Sequence, residues 1–174
     1  MDWSSAKVFD FTGALKDEPR YQRFDDKVMD VIRQPAENKL AIIFDTGFGW
    51  HSKAPMVVRD HVNLSGYNPL IGPNHPIGPR FPVLQEVYVH DCAAALGGLE
   101  TAIVAAIKHG RVLSAEDADF MQVLGAECYC YNLVPTMIVA AHAGWKVLAV
   151  VGPDNQGWQQ ELLAKIKKLS ACPT

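Results

Sequence analysis

The sequence predicts an α/β fold in which a mostly parallel mixed sheet is flanked by helices. Two observations support this prediction: apolar runs of strand length alternate with amphipathic segments of helix length, and several of those segments begin with capping residues. No linker, repeat or low-complexity tract divides the 174 residues, so we expect a single domain over residues 1–174. A chain of this length can bury a sizeable core.

The first half of the chain predicts three strands and one helix. Lys7–Phe11 is predicted to form a short strand, and Asp25–Arg33 a helix that begins with a capping aspartate. Leu40–Phe44 is a continuous apolar run that leads into Asp45-Thr46-Gly47, which is typical of a buried strand entering a turn. Met56–Arg59 is predicted to be a second buried strand.

The second half predicts helices separated by short strands. We expect a long helix at Ala93–His109, because its apolar residues fall on one face and Gly110 can end it. Ser114 and Asp117 form a capping-box-like start for a helix that runs to Gly125. The remaining predictions are a strand at Cys128–Tyr131, a helix opened by Pro135 and ending near Gly144, a strand at Lys146–Val151 and a helix at Trp158–Leu169.

Composition and charge argue against several classes of function. The formal net charge of -3 and the lack of a Lys/Arg cluster argue against nucleic-acid binding by phosphate neutralisation. The most apolar stretch, Leu133–Gly152, is interrupted by Pro135, His142 and Lys146, so it is not predicted to span a membrane. Because the N-terminus does not resemble a signal peptide, we expect a cytoplasmic protein.

The four cysteines predict neither a disulfide framework nor a metal site. Cys92, Cys128, Cys130 and Cys172 form no CxxC pair and lie mostly in apolar surroundings, so we expect reduced, buried thiols. Cys128, Cys130 and His142 have a spacing that matches no common zinc pattern. We therefore predict no metal ligands.

The most distinctive stretch of the chain is Val57–Pro82, VVRDHVNLSGYNPLIGPNHPIGPRFP. It contains an RDH-x-N-L stretch, an N-P-L-x-G-P-N stretch and a G-x-R-F-P element. These elements resemble the central loop of the trimeric purine nucleoside phosphorylases, a family that includes the methylthioadenosine phosphorylases. The matching residues are Arg59, Asp60, His61, Asn63, Leu64, Asn68, Pro69, Leu70, Gly72, Pro73, Asn74, Gly78, Arg80, Phe81 and Pro82.

A second stretch, nearer the C-terminus, extends the resemblance. In the family's closing half an L-G-A-D run leads into a strand, a V-P-E helix and a strand that ends in T-N. The residues that resemble it are Leu124-Gly125-Ala126, Val134-Pro135, Ile138-Val139-Ala140, His142, Gly144, Val147 and Asp154-Asn155. Their order and spacing agree with the first match, and the two stretches together cover roughly half of the chain.

The resemblance implies phosphorolytic cleavage of the N-glycosidic bond of a purine nucleoside. Phosphate would be the co-substrate, and no further cofactor is implied. The ligand would be a purine nucleoside or a related small molecule. The resemblance also implies a cytoplasmic homo-oligomer, either a trimer or a multiple of one.

The resemblance assigns roles to individual residues. Asn155 matches the strand-end Asn that contacts the purine, which makes it the candidate catalytic residue. Tyr67 corresponds approximately to an aromatic residue that reaches into a neighbouring subunit's ribose site. Tyr131 and Asn132 stand where the family has a Met-Ser pair beneath ribose and phosphate. The turn Asp45-Thr46-Gly47 would face ribose or an anion.

Several family elements for phosphate and purine binding are missing. The Gly-Ser-Gly-x-Gly phosphate loop and the G-R-x-H-x-Y-E-G segment have no match, and Arg111–Asp119 replaces the Phe-Glu element that clasps the purine. Asp45 would repel phosphate if it pointed into the site. These departures favour an alternative, a non-catalytic homologue that keeps the scaffold and its oligomer for ligand binding or a structural role.

Some of these residues also fit simpler interpretations. Arg59-Asp60-His61 is typical of an ion-paired strand end, and in the family its loop is largely architectural. Asn155 also fits a turn asparagine, and His142 fits a packed or surface histidine. Phe44-Asp45-Thr46-Gly47 resembles the active-site turn of aspartic proteases, but those folds are almost wholly β and this sequence predicts several helices.

Overall fold

The computed structural model describes residues 1–15, 21–23, 28–49, 53–108, 110–155 and 157–169. Within these residues the strands are β1 Lys7–Asp10, β2 Tyr21–Arg23, β3 Leu40–Thr46, β4 Phe48–Gly49, β5 Met56–Asn63, β6 Thr101–Ala106, β7 Cys128–Cys130 and β8 Lys146–Gly152. The α-helices are α1 Val28–Arg33, α2 Ala115–Val123, α3 Leu133–His142 and α4 Trp158–Ile166.

The described strands form one mixed sheet in the order β2-β1-β3-β8-β5-β6-β7-β4. The pairs β1–β2, β1–β3, β3–β8, β5–β6 and β6–β7 are parallel. The pairs β5–β8 and β4–β7 are antiparallel. The predicted fold class, a mostly parallel mixed sheet flanked by helices, is confirmed.

The sheet curls because two strands that follow each other in the chain lie far apart in its order. β4 starts directly after β3, with Gly47 between them, but β3 lies between β1 and β8 whereas β4 pairs with β7. β4 can follow β3 in the chain and also pair with β7 only if the sheet bends until β7 approaches the end of β3. Hydrogen bonds from residues just after β7 to Asp45 of β3 complete this approach.

Apolar side chains are buried on both faces of the sheet. In β3, Ala41 and Ile43 belong to one buried cluster, which includes most of α3. Ile42 and Phe44 belong to a second cluster, which includes the buried face of α4. This double burial explains why β3 is a continuous apolar run rather than an alternating one.

Most of the predicted elements are confirmed, with shifted ends. β1, β3, β5, β7 and β8 overlap predicted strands, and α1, α2, α3 and α4 overlap predicted helices. The capping box of α2 is present, since Ser114 Oγ accepts from Asp117 N and the Asp117 carboxylate accepts from Ser114 N. The aspartate predicted to cap α1, Asp25, lies outside the described residues. The sequence patterns did not predict β2 or β4.

The predicted long helix at Ala93–His109 is wrong. The chain forms a 3₁₀-helix at Asp91–Leu96, turns at Gly97 and Gly98, whose φ angles are 97° and 74°, and continues as β6. A positive φ at glycine ends a helix. β6 pairs with β5 on one side and β7 on the other, so sheet pairing overrides the helical spacing of its apolar residues.

The described cysteines are of two kinds. Cys128 and Cys130 are buried free thiols, as expected, and burial raises the pKa of Cys128 to about 12. Cys92 takes part in a disulfide, so the expectation of a reduced thiol is wrong at that position.

The described residues lack two kinds of feature. In this part of the chain, no group of three or more His, Cys, Asp or Glu side chains is arranged to hold a metal ion. None of the described helices has the length and apolar character needed to cross a membrane.

Candidate functional site

Four turns come together where strands of the curled sheet end, and we call this region the carboxyl edge. It comprises Asp10–Leu15 at the end of β1, Asp45–Gly47 at the end of β3, Tyr131–Asn132 after β7 and Pro153–Asn155 after β8. Hydrogen bonds join neighbouring strand ends, from Phe11 N to Phe44 O at 2.8 Å and from Gly47 N to Gly152 O at 2.9 Å. Ligands of α/β folds bind outside the carboxyl ends of the strands.

Asp45 ties the turn after β3 to the start of α3. Its Oδ1 accepts from Thr46 N at 2.9 Å, and its Oδ2 accepts from Asn132 N at 3.2 Å and Leu133 N at 2.9 Å. The residue is 1% exposed. Burial raises the pKa of the Asp45 carboxyl to about 7, although these hydrogen bonds lower it. Asp45 is therefore buried and holds the backbone of Thr46 and Asn132, two of the predicted ligand-binding residues.

The turn after β3 also packs tightly against β8. A Cβ atom at Gly47 would lie 2.7 Å from the Cβ of Val151, which is too close for any side chain. Glycine is required here because the backbones approach closely. Thr46, just before it, is partly buried.

The end of β7 leads into α3 through Tyr131 and Asn132. Asn132 is the N-cap of α3, but its side chain makes no capping hydrogen bond, and Asp45 supplies the acceptor instead. The Tyr131 ring packs edge-on against Tyr129, with the ring centroids 5.9 Å apart. Tyr131 and Asn132 are both partly buried, so each keeps surface that a ligand can contact.

The turn after β1 belongs to the carboxyl edge and was missed by the sequence analysis. Asp10 is fully buried, and its Oδ1 accepts from Thr12 N at 2.9 Å and from Thr12 Oγ1 at 2.6 Å. Its Oδ2 accepts from Leu15 N at 2.8 Å. A signal was present, because Asp10 is followed by Thr12-Gly13 after a predicted strand, much as in Asp45-Thr46-Gly47.

Asn155 lies exposed beyond the end of β8. Its backbone N donates to Pro153 O at 2.8 Å, and its backbone O accepts from Gln159 Nε2 at 3.4 Å. Gln159 Nε2 also donates to Thr12 Oγ1 at 3.1 Å, which brings the turn after β8 next to the turn after β1. Within the described residues the Asn155 side-chain amide has no hydrogen-bond partner, so it can face a ligand.

Tyr67 lies in the segment of residues 64–83, which we call the 64–83 loop, and not at the carboxyl edge. Tyr67 is 52% exposed. Its backbone is held locally, by Asn63 Nδ2 donating to Tyr67 O at 2.9 Å and by Tyr67 N donating to Ser65 Oγ at 3.1 Å. Its role in completing the site of a neighbouring subunit stays a prediction.

The Arg59-Asp60-His61 motif makes contacts with its own chain. Arg59 Nη2 lies 3.4 Å from Glu127 Oε2, and His61 Nδ1 lies 2.6 Å from the hydroxyl of Tyr88. Burial lowers the pKa of His61, and the charge of Asp60 raises it. These contacts fit the architectural interpretation of the motif.

The structure thus divides the predicted site residues into two sets. Asp45, Thr46, Gly47, Tyr131, Asn132 and Asn155 lie at the carboxyl edge, and Tyr67 lies apart from them. The edge offers side-chain amides, threonine hydroxyls and a tyrosine ring. It also contains two buried carboxylates, and no lysine or arginine among the described residues forms an ion pair with either of them.

The curated proteins that the chain matches are purine nucleoside phosphorylases. It is 30% identical over 104 residues to purine nucleoside phosphorylase 1 of Bacillus subtilis, a match that covers 55% of this chain and 38% of the relative. It is 34% identical over 109 residues to a putative purine nucleoside phosphorylase of Schizosaccharomyces pombe, covering 55% and 35%. It is 31% identical over 106 residues to that of Mus musculus, covering 53% and 37%. No protein-family model matches the chain.

Solved structures with the same fold belong to the same kind of protein. A crystal structure of a purine nucleoside phosphorylase in complex with ribose-1-phosphate aligns with a TM-score of 0.68 at 20% identity, covering 76% of this chain and 60% of that one. A Schistosoma enzyme in complex with guanosine aligns with a TM-score of 0.67 at 20% identity, covering 76% and 63%. The resemblance predicted from the motifs is confirmed, although the chain spans less than two-fifths of the length of the curated relatives it matches.

Proposed function

We propose that this chain, a purine nucleoside phosphorylase-like protein in its motifs and its fold, binds a purine nucleoside at the carboxyl edge. The observation that carries the proposal is the assembly of Thr46, Asn132 and Asn155 on one edge. These residues come from three distant segments of the chain, and their type suits a ligand rich in hydrogen-bonding groups.

The likeness to known proteins supports phosphorolytic cleavage of the N-glycosidic bond, with phosphate as co-substrate and no further cofactor. Similar structures contain ribose-1-phosphate in one case and guanosine in another. In this chain Asn155 would hydrogen-bond the purine. Asn132, Thr46 and Gly47 would face the ribose or an anion, with the Tyr131 ring beside them. Asp45 would act on the ligand through the backbone of Thr46 and Asn132.

A non-catalytic, ligand-binding role is the second candidate, and a specific observation favours it. In the segment that replaces the family's purine-clasping Phe-Glu element, Arg111 and Asp117 are engaged at the start of α2. Asp117 completes the capping box with Ser114 and also pairs with Arg111, with Arg111 Nη2 and Asp117 Oδ1 2.7 Å apart. An acid engaged in this way is not available to protonate a leaving purine.

We also propose that residues 1–174 form a single domain that works as a homo-oligomer, a trimer or a multiple of one. The 64–83 loop supports this proposal, because Ile71 is 81% exposed and Phe81 is 87% exposed. Light scattering across a range of protein concentrations tests it. A monomer throughout would also remove Tyr67 from the proposed site.

We propose a cytoplasmic location, and the disulfide at Cys92 is the observation that weighs against it, because disulfides are rare in cytosolic proteins. Alkylation of the protein taken directly from its cells, followed by mass spectrometry of the Cys92 peptide, tests the location. A reduced Cys92 supports the cytoplasm, and an oxidised Cys92 contradicts it.

Base release from inosine, guanosine, adenosine and methylthioadenosine, measured with and without phosphate, tests the proposed reaction. Release that requires phosphate supports phosphorolysis. Release without phosphate indicates hydrolysis. Nucleoside binding without any release, by well-folded protein, supports the non-catalytic role.

Asn155→Ala tests the binding site itself. Loss of its hydrogen bonds to the purine should weaken nucleoside affinity about tenfold, since such a loss is worth about 1.4 kcal/mol. Titration calorimetry measures the affinity, and Asn38→Ala is the matched control, because Asn38 is exposed just before the start of β3, away from the carboxyl edge. Equal affinity for both variants would contradict the assignment of Asn155.

A further inference from the structure

We infer, resting on the second candidate function, non-catalytic nucleoside binding, that the carboxyl edge takes an uncharged purine nucleoside or its base and excludes phosphate. Asp10 and Asp45 are the residues that set this specificity. Their carboxylates occupy the backbone donors that a bound anion would need, so each acts as an anion built into the chain.

The N-terminus of α3 is the first donor group that is already occupied. Backbone N–H groups at the start of a helix carry partial positive charge and bind anions such as phosphate. Here Asn132 N and Leu133 N both donate to Asp45 Oδ2, at 3.2 Å and 2.9 Å. The N–H of Val134 donates to the thiol of Cys130, which lies just before the helix, and Pro135 has no N–H. The first turn of α3 is therefore saturated from within.

The turn after β1 is the second occupied donor group. Consecutive backbone N–H groups in a turn can form a concave anion site. Here Thr12 N and Leu15 N donate to the Asp10 carboxylate at 2.9 Å and 2.8 Å. Ala14 N donates to Thr12 Oγ1 at 3.3 Å, while the hydroxyl of Thr12 donates to Asp10 at 2.6 Å. Three amides and one hydroxyl that could hold an anion already have protein acceptors.

The charges at the carboxyl edge also disfavour phosphate binding. Asp10 is 0% exposed and Asp45 is 1% exposed, and no lysine or arginine among the described residues pairs with them. Burial raises the pKa of Asp45 to about 7, so this carboxyl is ionised in mildly alkaline solution. Two carboxylates that no described lysine or arginine pairs with repel phosphate and leave an uncharged nucleoside unaffected.

Titration calorimetry of the full chain with two probes, inosine and inorganic phosphate, tests the inference. At about pH 8, well above the ordinary pKa of a carboxyl group, and at constant ionic strength, inosine should bind saturably. Phosphate should give no saturable heat up to about 10 mM and should change the inosine Kd by less than about twofold. A phosphate Kd below about 1 mM, or a tightening of inosine binding by phosphate of more than about tenfold, would overturn the inference.

Charge-removing variants test whether Asp10 and Asp45 are responsible. Asp45→Asn and Asp10→Asn each remove one negative charge with little change in shape, and each should gain at least about tenfold in phosphate affinity. Asp91→Asn is the matched control, because Asp91 is exposed at the start of the 3₁₀-helix Asp91–Leu96. Folded variants that still show no saturable phosphate binding would overturn the assignment to these two residues.

NMR mapping of the backbone amide chemical shifts keeps the inference testable even if both variants fail to fold. Phosphate added to the unaltered protein should leave the amide resonances of Thr12, Thr46 and Leu133 in place. Their displacement by phosphate would overturn the inference. This measurement also separates the two proposals, since a lack of inosine binding removes the nucleoside function while the phosphate map judges the exclusion of phosphate independently.

Discussion

The 64–83 loop and the carboxyl edge differ in what holds their polar side chains. In the loop, Asn68 Oδ1 accepts from Leu70 N two residues away, and Asn74 Nδ2 donates to Gly78 O four residues away, while Asn74 Oδ1 lies 3.2 Å from His142 Nε2. At the edge, Asp45 accepts from backbone amides 87 and 88 residues away. The densest motif match therefore lies in a segment held largely by local hydrogen bonds, whereas the candidate chemistry lies where distant segments meet.

This difference shows that a recognisable motif and a functional site can occupy separate parts of one molecule. A loop with many glycines and prolines keeps its shape through local backbone preferences, and its sequence is easy to match. A site at strand ends depends on single polar residues, each of which carries little sequence signal. The two regions should also respond differently to substitution.

The largest expected effect is the loss of stability in Asp45→Ala. Three backbone N–H groups would lose their buried acceptor, and we expect the free energy of unfolding to fall by about 3 kcal/mol. The loop counterpart, Asn68→Ala, should change it by less than about 0.5 kcal/mol, because Asn68 is exposed. Urea denaturation of both variants measures the contrast. Similar losses for the two would contradict the distinction between the regions.

The next effect is a pH dependence that originates in Asp45. Its pKa is raised from 3.8 to about 7 in the folded protein, so the folded state binds this proton more tightly than the unfolded state does. The stabilisation that protonated Asp45 gives the folded state is therefore fully present below about pH 4. It is lost as the pH rises towards 7, and the free energy of unfolding falls by about 2 kcal/mol between about pH 5 and 7. Urea denaturation at several pH values checks this, with Asp45→Asn as the comparison. The same slope in both proteins would contradict it.

A smaller effect is expected where the 64–83 loop joins the sheet. Tyr88 is 5% exposed, and its hydroxyl lies 2.6 Å from His61 Nδ1. Tyr88→Phe keeps the ring but leaves the His61 nitrogen without this partner, so the free energy of unfolding should fall by about 1 kcal/mol. Equilibrium denaturation measures the change. No loss would mean that the contact between Tyr88 and His61 does not anchor the loop.

Local patterns were sufficient to predict much of the fold. The apolar run of β3, the capping box of α2 and the amphipathic α4 all have local causes, and all three are present in the structure. The helical spacing of apolar residues from Ala93 to His109 failed, because β6 pairs on both sides and two glycines precede it. Spacing alone cannot report pairing with strands that are distant in the sequence.

The candidate site was predicted only in part. Thr46, Asn132 and Asn155 were identified through the family resemblance, and the structure places them at one edge. Asp10 was missed although Thr12-Gly13 follows it much as Thr46-Gly47 follows Asp45, because the pattern alone does not report that the carboxylate is buried and accepts from the amides of the turn. Asp45 was predicted to face a ligand, and its hydrogen bonds instead join Thr46 to the start of α3; whether Asp45 also contacts a ligand stays a prediction.

The sequence by itself determined the fold class, the starts of most helices and the resemblance to purine nucleoside phosphorylases, because each depends on residues that are close together in the chain. Only the tertiary structure decided that β4 meets β7, and that Asp45 therefore caps a helix 88 residues further on. The physical reason is the curl of the sheet, which brings the ends of β3 and β7 together. Burial at that junction leaves the Asp45 carboxylate surrounded by backbone amides, and no local pattern in the sequence records that arrangement.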